Sequence, residues 1–324
     1  MKIITTCLLM LVLQSVSMVY GEIIRKTIYG SDDNKYYIFY REEKEVARHI
    51  LDILGDNVVK TIGVIPDGII KEYYDRGKLW YKWRYKDNKL EGISMQYDSN
   101  GNLKYEWEYN NGNLNGISRE YYYDGKLKAE LNFKNDKMEG SYKEYYESCN
   151  LMKECNYKND ALEGIVKEYN ESGKLKMLRN YRNGMREGIS NEYFKSGVLR
   201  AKWNYKYDKL EGTSEEYYES GKLKMFYNYV DGRLEGESRE YYQIGALREI
   251  WYYEKGKREG TFKTYYKSGE IMSEIDFKDN KINGMFNEYY KDGMYKFTNV
   301  YENGKLIRRI EYDKNGALAF DKQY

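Results

Sequence analysis

Glycine returns every 24 residues along most of this chain, at positions 68, 92, 116, 140, 164, 188, 212, 236, 260 and 284, without a slip. Five residues after each comes a tyrosine, from Tyr73 to Tyr289, and seventeen after each comes a second aromatic, from Tyr85 to Tyr301, with Phe133 and Phe277 among them. Self-similarity at this period means stacked supersecondary units, each touching only its neighbours. The repeat therefore overrides the two globular domains that 324 residues would otherwise suggest.

The stretch Gly68–Gly92 reads as a hairpin. Asp75-Arg76-Gly77 is a three-residue loop whose glycine takes positive φ, and Asp87-Asn88 becomes Asn111-Gly112, Asn183-Gly184 or Asp231-Gly232 in sister copies, which are strong two-residue hairpin turns. Pairing across the first loop sets Tyr73 beside Leu79, Lys71 beside Tyr81 and Ile69 beside Trp83 on one face, with Glu72, Trp80 and Tyr74 on the other. Ile93 then keeps to the apolar face only if a β-bulge at Glu91-Gly92 adds a residue. Gly212 is accordingly expected in a bulge close to the Trp203 ring, and Ser214 on the polar face. The expected architecture is all-β: an elongated single-layer antiparallel meander of about ten 24-residue hairpins, spanning roughly 100 Å at the usual strand spacing. A small N-terminal cap containing one helix completes it.

The first residues carry an export signature: Lys2, an apolar run Cys7–Leu13, then small and polar residues up to Gly21. The run is too short to span a membrane. Residues 1–21 thus read as a signal peptide, 22–63 as the cap and 64–324 as the repeat ribbon. Within the cap, Arg41–Leu54 places Val46, Ile50, Ile53 and Leu54 on one helical face, with His49, the sole histidine, in the same segment. Export makes disulfides possible, but Cys149 stands in a turn and Cys155 six strand residues later, roughly 20 Å away along an extended chain. Both are expected as free thiols, Cys149 reactive and Cys155 protected.

The pattern G-x-x-x-E-Y-Y-x-x-G-K-L-x-x-x-x-x-Y-x-x-G-K-L-E-G, running from about Gly68 to Gly316, resembles the variant MORN repeat of bacterial proteins, often labelled YwqK-type antitoxins. The resemblance implies an elongated β-hairpin ribbon used for binding or scaffolding, with protein or lipid partners, and no catalytic residues. It also carries an antitoxin or immunity-like reading by family label.

Function classes narrow from the residues themselves. Basic and acidic residues number 54 and 52 and alternate along the strands, so no nucleic-acid patch or membrane anchor stands out. Glu72, Glu120, Glu144, Glu168, Glu192, Glu216, Glu240 and Glu288 form a repeated row, whereas a catalytic acid is a singular residue in a perturbed environment. With no metal cluster, nucleophile elbow or phosphate loop in the sequence, the reading is a non-enzymatic monomer without cofactor or metal. It is expected to be exported to the periplasm, cell surface or medium, where its β surface meets another protein. The candidate contact row is Tyr74, Tyr122, Tyr146, Phe194, Tyr218, Tyr242, Tyr266 and Tyr290. Aromatics one repeat apart suit stacking on peptides or on sugars, so a glycan or cell-wall module is the alternative. The same rings would equally serve to pack on neighbouring lysine stems and stabilise the sheet.

Overall fold

The computed structural model describes residues 21–30, 35–52 and 58–324, so the export segment, apart from Gly21, lies outside the described residues. The chain divides into two compact units, residues 1–137 and 138–324. Strands and turns make up the described residues of both, and no helix occurs among them.

In the first unit, β1 (Ile23–Tyr29), β2 (Lys35–Arg41), β3 (Lys44–Leu51) and β4 (Val58–Gly63) form an antiparallel meander. The helix expected over Arg41–Leu54 is therefore absent; Ile53 and Leu54 fall outside the described residues. Glu42 and Glu43 turn the chain with φ of 48° and 66°, and Lys44–Leu51 runs as a strand paired on both edges. Ala47, His49 and Leu51 point inward by strand alternation. A lone helix of this length is marginal in water, so two flanking strands outweigh its periodicity.

The meander is nonetheless a cap. β1 pairs in parallel with the first repeat strand, β5 (Gly68–Tyr73), through Ile23↔Ile70 and Ile24↔Lys71. Ile23, Phe39 and Ala47 from the cap close over Ile65, Ile70 and Tyr85 of the repeat in one apolar cluster. Arg25 reaches into the same layer, where Nε and Nη2 donate to Oε2 of Glu72 at 3.0 and 2.5 Å and Thr27 donates to Oε1 at 2.7 Å.

β5 pairs with β6 (Leu79–Lys86) through Tyr73↔Leu79, Glu72↔Tyr81, Ile70↔Trp83 and Gly68↔Tyr85. A one-residue bulge between Glu72 and Tyr73 sits in this ladder, and it overturns the face assignment made from sequence. Ile70 and Glu72, rather than Ile69 and Lys71, share a face with Tyr81 and Trp83. Ile69 and Ile93 are about half exposed while Ile70 and Ser94 are fully buried. A bulge is present at Glu91-Gly92, but it adds two residues rather than the one expected, which leaves Ile93 exposed. After the Asp87-Asn88 turn, Tyr85 faces Leu90 of β7 (Lys89–Leu90), but Lys82 faces Met95 of β8 (Gly92–Tyr97). Three steps along β6 thus match five along its partner, and Gly92 absorbs the difference at φ 76°. The Trp203 ring does not adjoin the corresponding Gly212: that glycine pairs with Tyr229, and a Cβ there would lie 3.5 Å from Nδ2 of Asn204.

The same hairpin recurs through the second unit, for example Gly188–Tyr193 with Leu199–Lys206 and Gly212–Tyr217 with Leu223–Val230. Counting each repeat glycine as position 0, a small residue at position 2 faces a large one at position 15: Ser190 with Trp203, Ser214 with Tyr227, Ser238 with Trp251. Other copies reverse the sizes, with Tyr142 facing Cys155 and Phe286 facing Asn299. Ser214 is thus buried, against the expectation of an exposed polar face.

Candidate functional site

Hydrogen bonds between successive copies fix the frame that any site is built on. Where a glutamate precedes the repeat glycine, it accepts the backbone N–H of a turn residue twenty positions later, as in Asn111 N to Glu91 Oε2 and Asp231 N to Glu211 Oε2, both 2.8 Å. The leucine before it offers its carbonyl to the same turn, Gly112 N donating to Leu90 O at 2.9 Å and Gly232 N to Leu210 O at 2.9 Å. Leu-Glu-Gly is thus a joint between copies, a role that its recurrence marks in the sequence.

The aromatic row selected from sequence lies close to this frame. Tyr74, Tyr122, Tyr146, Phe194, Tyr218, Tyr242, Tyr266 and Tyr290 are all half-buried. Hydroxyls of this row donate to a backbone carbonyl of the following copy, as in Tyr74 to Tyr97 (2.9 Å), Tyr146 to Tyr169 (2.8 Å), Tyr218 to Tyr241 (2.7 Å), Tyr242 to Tyr265 (2.8 Å) and Tyr266 to Tyr289 (2.9 Å). Their rings are engaged as well: Tyr74 stacks on Trp80 at 5.2 Å, and Arg248 and Lys267 each lie 5.8 Å from the Tyr242 ring. In these tyrosines the polar tip ties two repeats together while the ring packs.

The face that presents varied chemistry is the one carrying positions 4, 13 and 15. In the first unit it holds a stacked array in which Tyr81 lies 4.7 Å from Trp83, Trp83 lies 6.1 Å from Trp107 with the planes 8° apart, and Tyr105 lies 5.4 Å from Trp107. In the second unit the glutamates of position 4 stand directly beside position 13: Ala201 pairs with Glu192 on one side and Glu216 on the other. A cavity of about 350 Å³ opens there, with Ala201, Trp203, Phe194 and Tyr218 in its lining. The structure thus brings two members of the sequence-selected row to one cavity. Arg200 Nη1 donates to Glu192 Oε1 at 2.8 Å, and Lys224 Nζ stands 4.0 Å from Glu216.

Two repeats beyond Glu192 and Ala201, Glu249 faces Glu240 across the hairpin. Burial, and then the Glu240 charge, push the Glu249 carboxyl up, although Arg248 and Arg258 work against the shift. In the cap, burial and the Arg25 charge hold the His49 imidazole down at about 4. Among the described residues no group of three or more His, Cys, Asp or Glu side chains is placed to hold a metal ion. Sequence reasoning missed the Ala201 cavity because it set the glutamates and tryptophans on opposite faces. The available signal was the alanine itself, which stands where sister copies carry Tyr81, Met177 or Met225.

The pattern of the MORN repeat variant family matches residues 66–87, 90–111, 114–135, 138–159, 162–183, 186–207, 210–231 and 258–279, more than half of the chain. No curated protein matches it. Among solved structures, the crystal structure of TcdB2-TccC3 is 11% identical, with 91% of this chain and 19% of that chain covered and a TM-score of 0.18. The TcdB2-TccC3-Cdc42 structure gives 11%, 91%, 18% and 0.17. A putative 6-phosphogluconolactonase from Bacteroides fragilis is 12% identical over 96% of this chain and 97% of that chain, at a TM-score of 0.12. Similarity this low carries no argument.

Proposed function

The chain belongs to the MORN repeat variant family, and from that premise we propose that it is a non-enzymatic scaffold whose positions 4, 13 and 15 engage a protein partner. The observation that carries this reading is a division of labour inside the repeat. Glycines at positions 0 and 9, tyrosine at position 5 and glutamate at position 23 recur to hold bulges, turns and joints. Positions 13 and 15 differ from copy to copy: Ala201, Met225 and Glu249 at the first, Arg179, Trp203 and Ile275 at the second. A uniform frame with individual side chains is how repeat arrays build selective surfaces. Half-exposed Trp, Tyr, Met and Arg side chains are the types enriched in interface cores. Residues 1–21 serve export, so the partner is met at the cell envelope or outside the cell.

The test is a variant with Trp203→Leu, Tyr227→Leu and Trp251→Leu, since Leu131 stands at the same position in a sister repeat. A partner crosslinked in the native source and then purified should bind this variant about tenfold or more weakly. Ile165→Ser and Ile189→Ser, on the opposite face, should leave its affinity unchanged. Equal loss from both sets, or from neither, would reject this face as the contact surface.

A further inference from the structure

We propose that the cavity over Ala201 is a socket for an arginine side chain of the protein partner. The proposal rests on the scaffold reading above and names the chemistry that one site on that face selects. The protein itself contains the pattern. At the first repeat, the Arg25 guanidinium is held by Glu72 at position 4 and lies 4.8 Å from the Trp83 ring at position 15. It is further enclosed by Tyr37, at 4.2 Å. Glu192 and Trp203 occupy the same two positions in the same register, Glu192↔Ala201 and Ser190↔Trp203 matching Glu72↔Tyr81 and Ile70↔Trp83.

Two differences turn this copy into a receptor. Ala201 replaces the Tyr81 ring, and the space so made is the cavity of about 350 Å³, at the small end of ligand sites and sized for one side chain. The charges lining it also do not balance: three carboxylates, Glu192, Glu216 and Glu219, stand against two cations, Arg200 and Lys224. Arg200 is bonded to Oε1 of Glu192, which leaves Oε2, and Lys224 at 4.0 Å holds Glu216 only loosely. One incoming cation neutralises the set.

A guanidinium fits better than an ammonium because it is planar, stacks on an indole and is weakly hydrated, while its fork reaches a carboxylate with two donors. A neutral sugar ring would also stack on Trp203, but would leave the excess carboxylate uncompensated.

The full chain is titrated with the peptide Ac-Gly-Gly-Arg-Gly-Gly-NH2 and its citrulline and lysine counterparts, reading the indole N–H signals by NMR. Trp203→Leu assigns the relevant signal. The arginine peptide should shift the Trp203 signal saturably, and the citrulline and lysine peptides should bind at least about fivefold more weakly. Glu192→Gln should weaken the arginine peptide by about fivefold or more; Gln96 stands at that position in a sister repeat, so the fold tolerates it. Equal binding of the citrulline peptide, an unaffected Glu192→Gln variant, or a response to chitotetraose in place of the peptide would each overturn the socket. If the peptide fails while the triple leucine variant still loses the captured partner, the socket alone is rejected. If the peptide binds and that variant keeps its partner, the scaffold reading falls and with it the socket's assignment to the partner, leaving only a cavity that takes arginine.

Discussion

The size reversal at Tyr142 and Cys155 allows a sharp test of how this sheet face packs. Cys155 is buried and faces Tyr142, whose ring meets Tyr157 edge-on at 6.1 Å. Cys155→Trp installs the residue that Trp203 and Trp251 supply elsewhere, but leaves Tyr142 where those copies have serine. Two large rings on directly opposed positions overfill the site, at a cost of about 2 kcal/mol. Tyr142→Ser alone removes a half-buried ring, so about half of the 3–5 kcal/mol of a fully buried aromatic is lost, again about 2 kcal/mol. The double variant recreates the Ser190–Trp203 pair and should lie within about 1 kcal/mol of the parent. The single costs sum to about 4 kcal/mol, so the coupling is about 3 kcal/mol, at the top of the range for residues in contact. An array of this kind need not unfold in one step. The assay is therefore native-state hydrogen exchange of the strands Lys137–Tyr145 and Leu151–Lys158, which reports local opening free energies. A Cys155→Trp protein as protected as the parent with Tyr142 intact would refute the packing argument.

Four further outcomes are expected. Gly212→Val should cost about 1–3 kcal/mol in urea unfolding, because valine is strained at φ 74°. Ser214→Ala in the same strand should be neutral, or stabilising by up to about 1 kcal/mol, since its buried hydroxyl has no hydrogen-bond partner. In thiol labelling of the folded protein at pH 8, Cys149 should react quickly and Cys155 slowly, because Cys149 is exposed whereas Cys155 is buried and its thiol pushed up by that burial. Finally, His49 holds its proton more weakly in the folded protein than the ordinary 6.5, at about 4. Its contribution to stability is full above about pH 6.5 and is lost as the pH falls from there to about 4. The pH dependence of amide protection in the cap should flatten over that window in His49→Phe, and an unchanged profile would remove His49 as its source.

Much of this architecture is legible in one dimension, because a repeat enforces its own local chemistry. The glycine period, the Asp75-Arg76-Gly77 loop, the turn at Asp87-Asn88 and the bulge at Gly92 each need a particular backbone conformation, and few residue types supply it. Local rules of that kind do not say which face a strand residue ends on. A single extra residue at Glu72/Tyr73 moves Ile70 and Glu72 onto the side of Tyr81 and Trp83, since strand alternation has a period of two and one slip inverts it. The cap shows the same limit: Arg41–Leu54 has helical spacing, yet Lys44–Leu51 is a strand because β2 and β4 flank it. The tyrosines from Tyr74 onward could be recognised as a row from sequence, but whether their hydroxyls faced solvent or the next copy depended on where that copy's backbone lay. The Ala201 cavity is tertiary in the same sense. Alanine is one letter in the sequence, and it becomes a cavity only when Trp203, Glu192 and Glu216 stand around it on three adjacent strands.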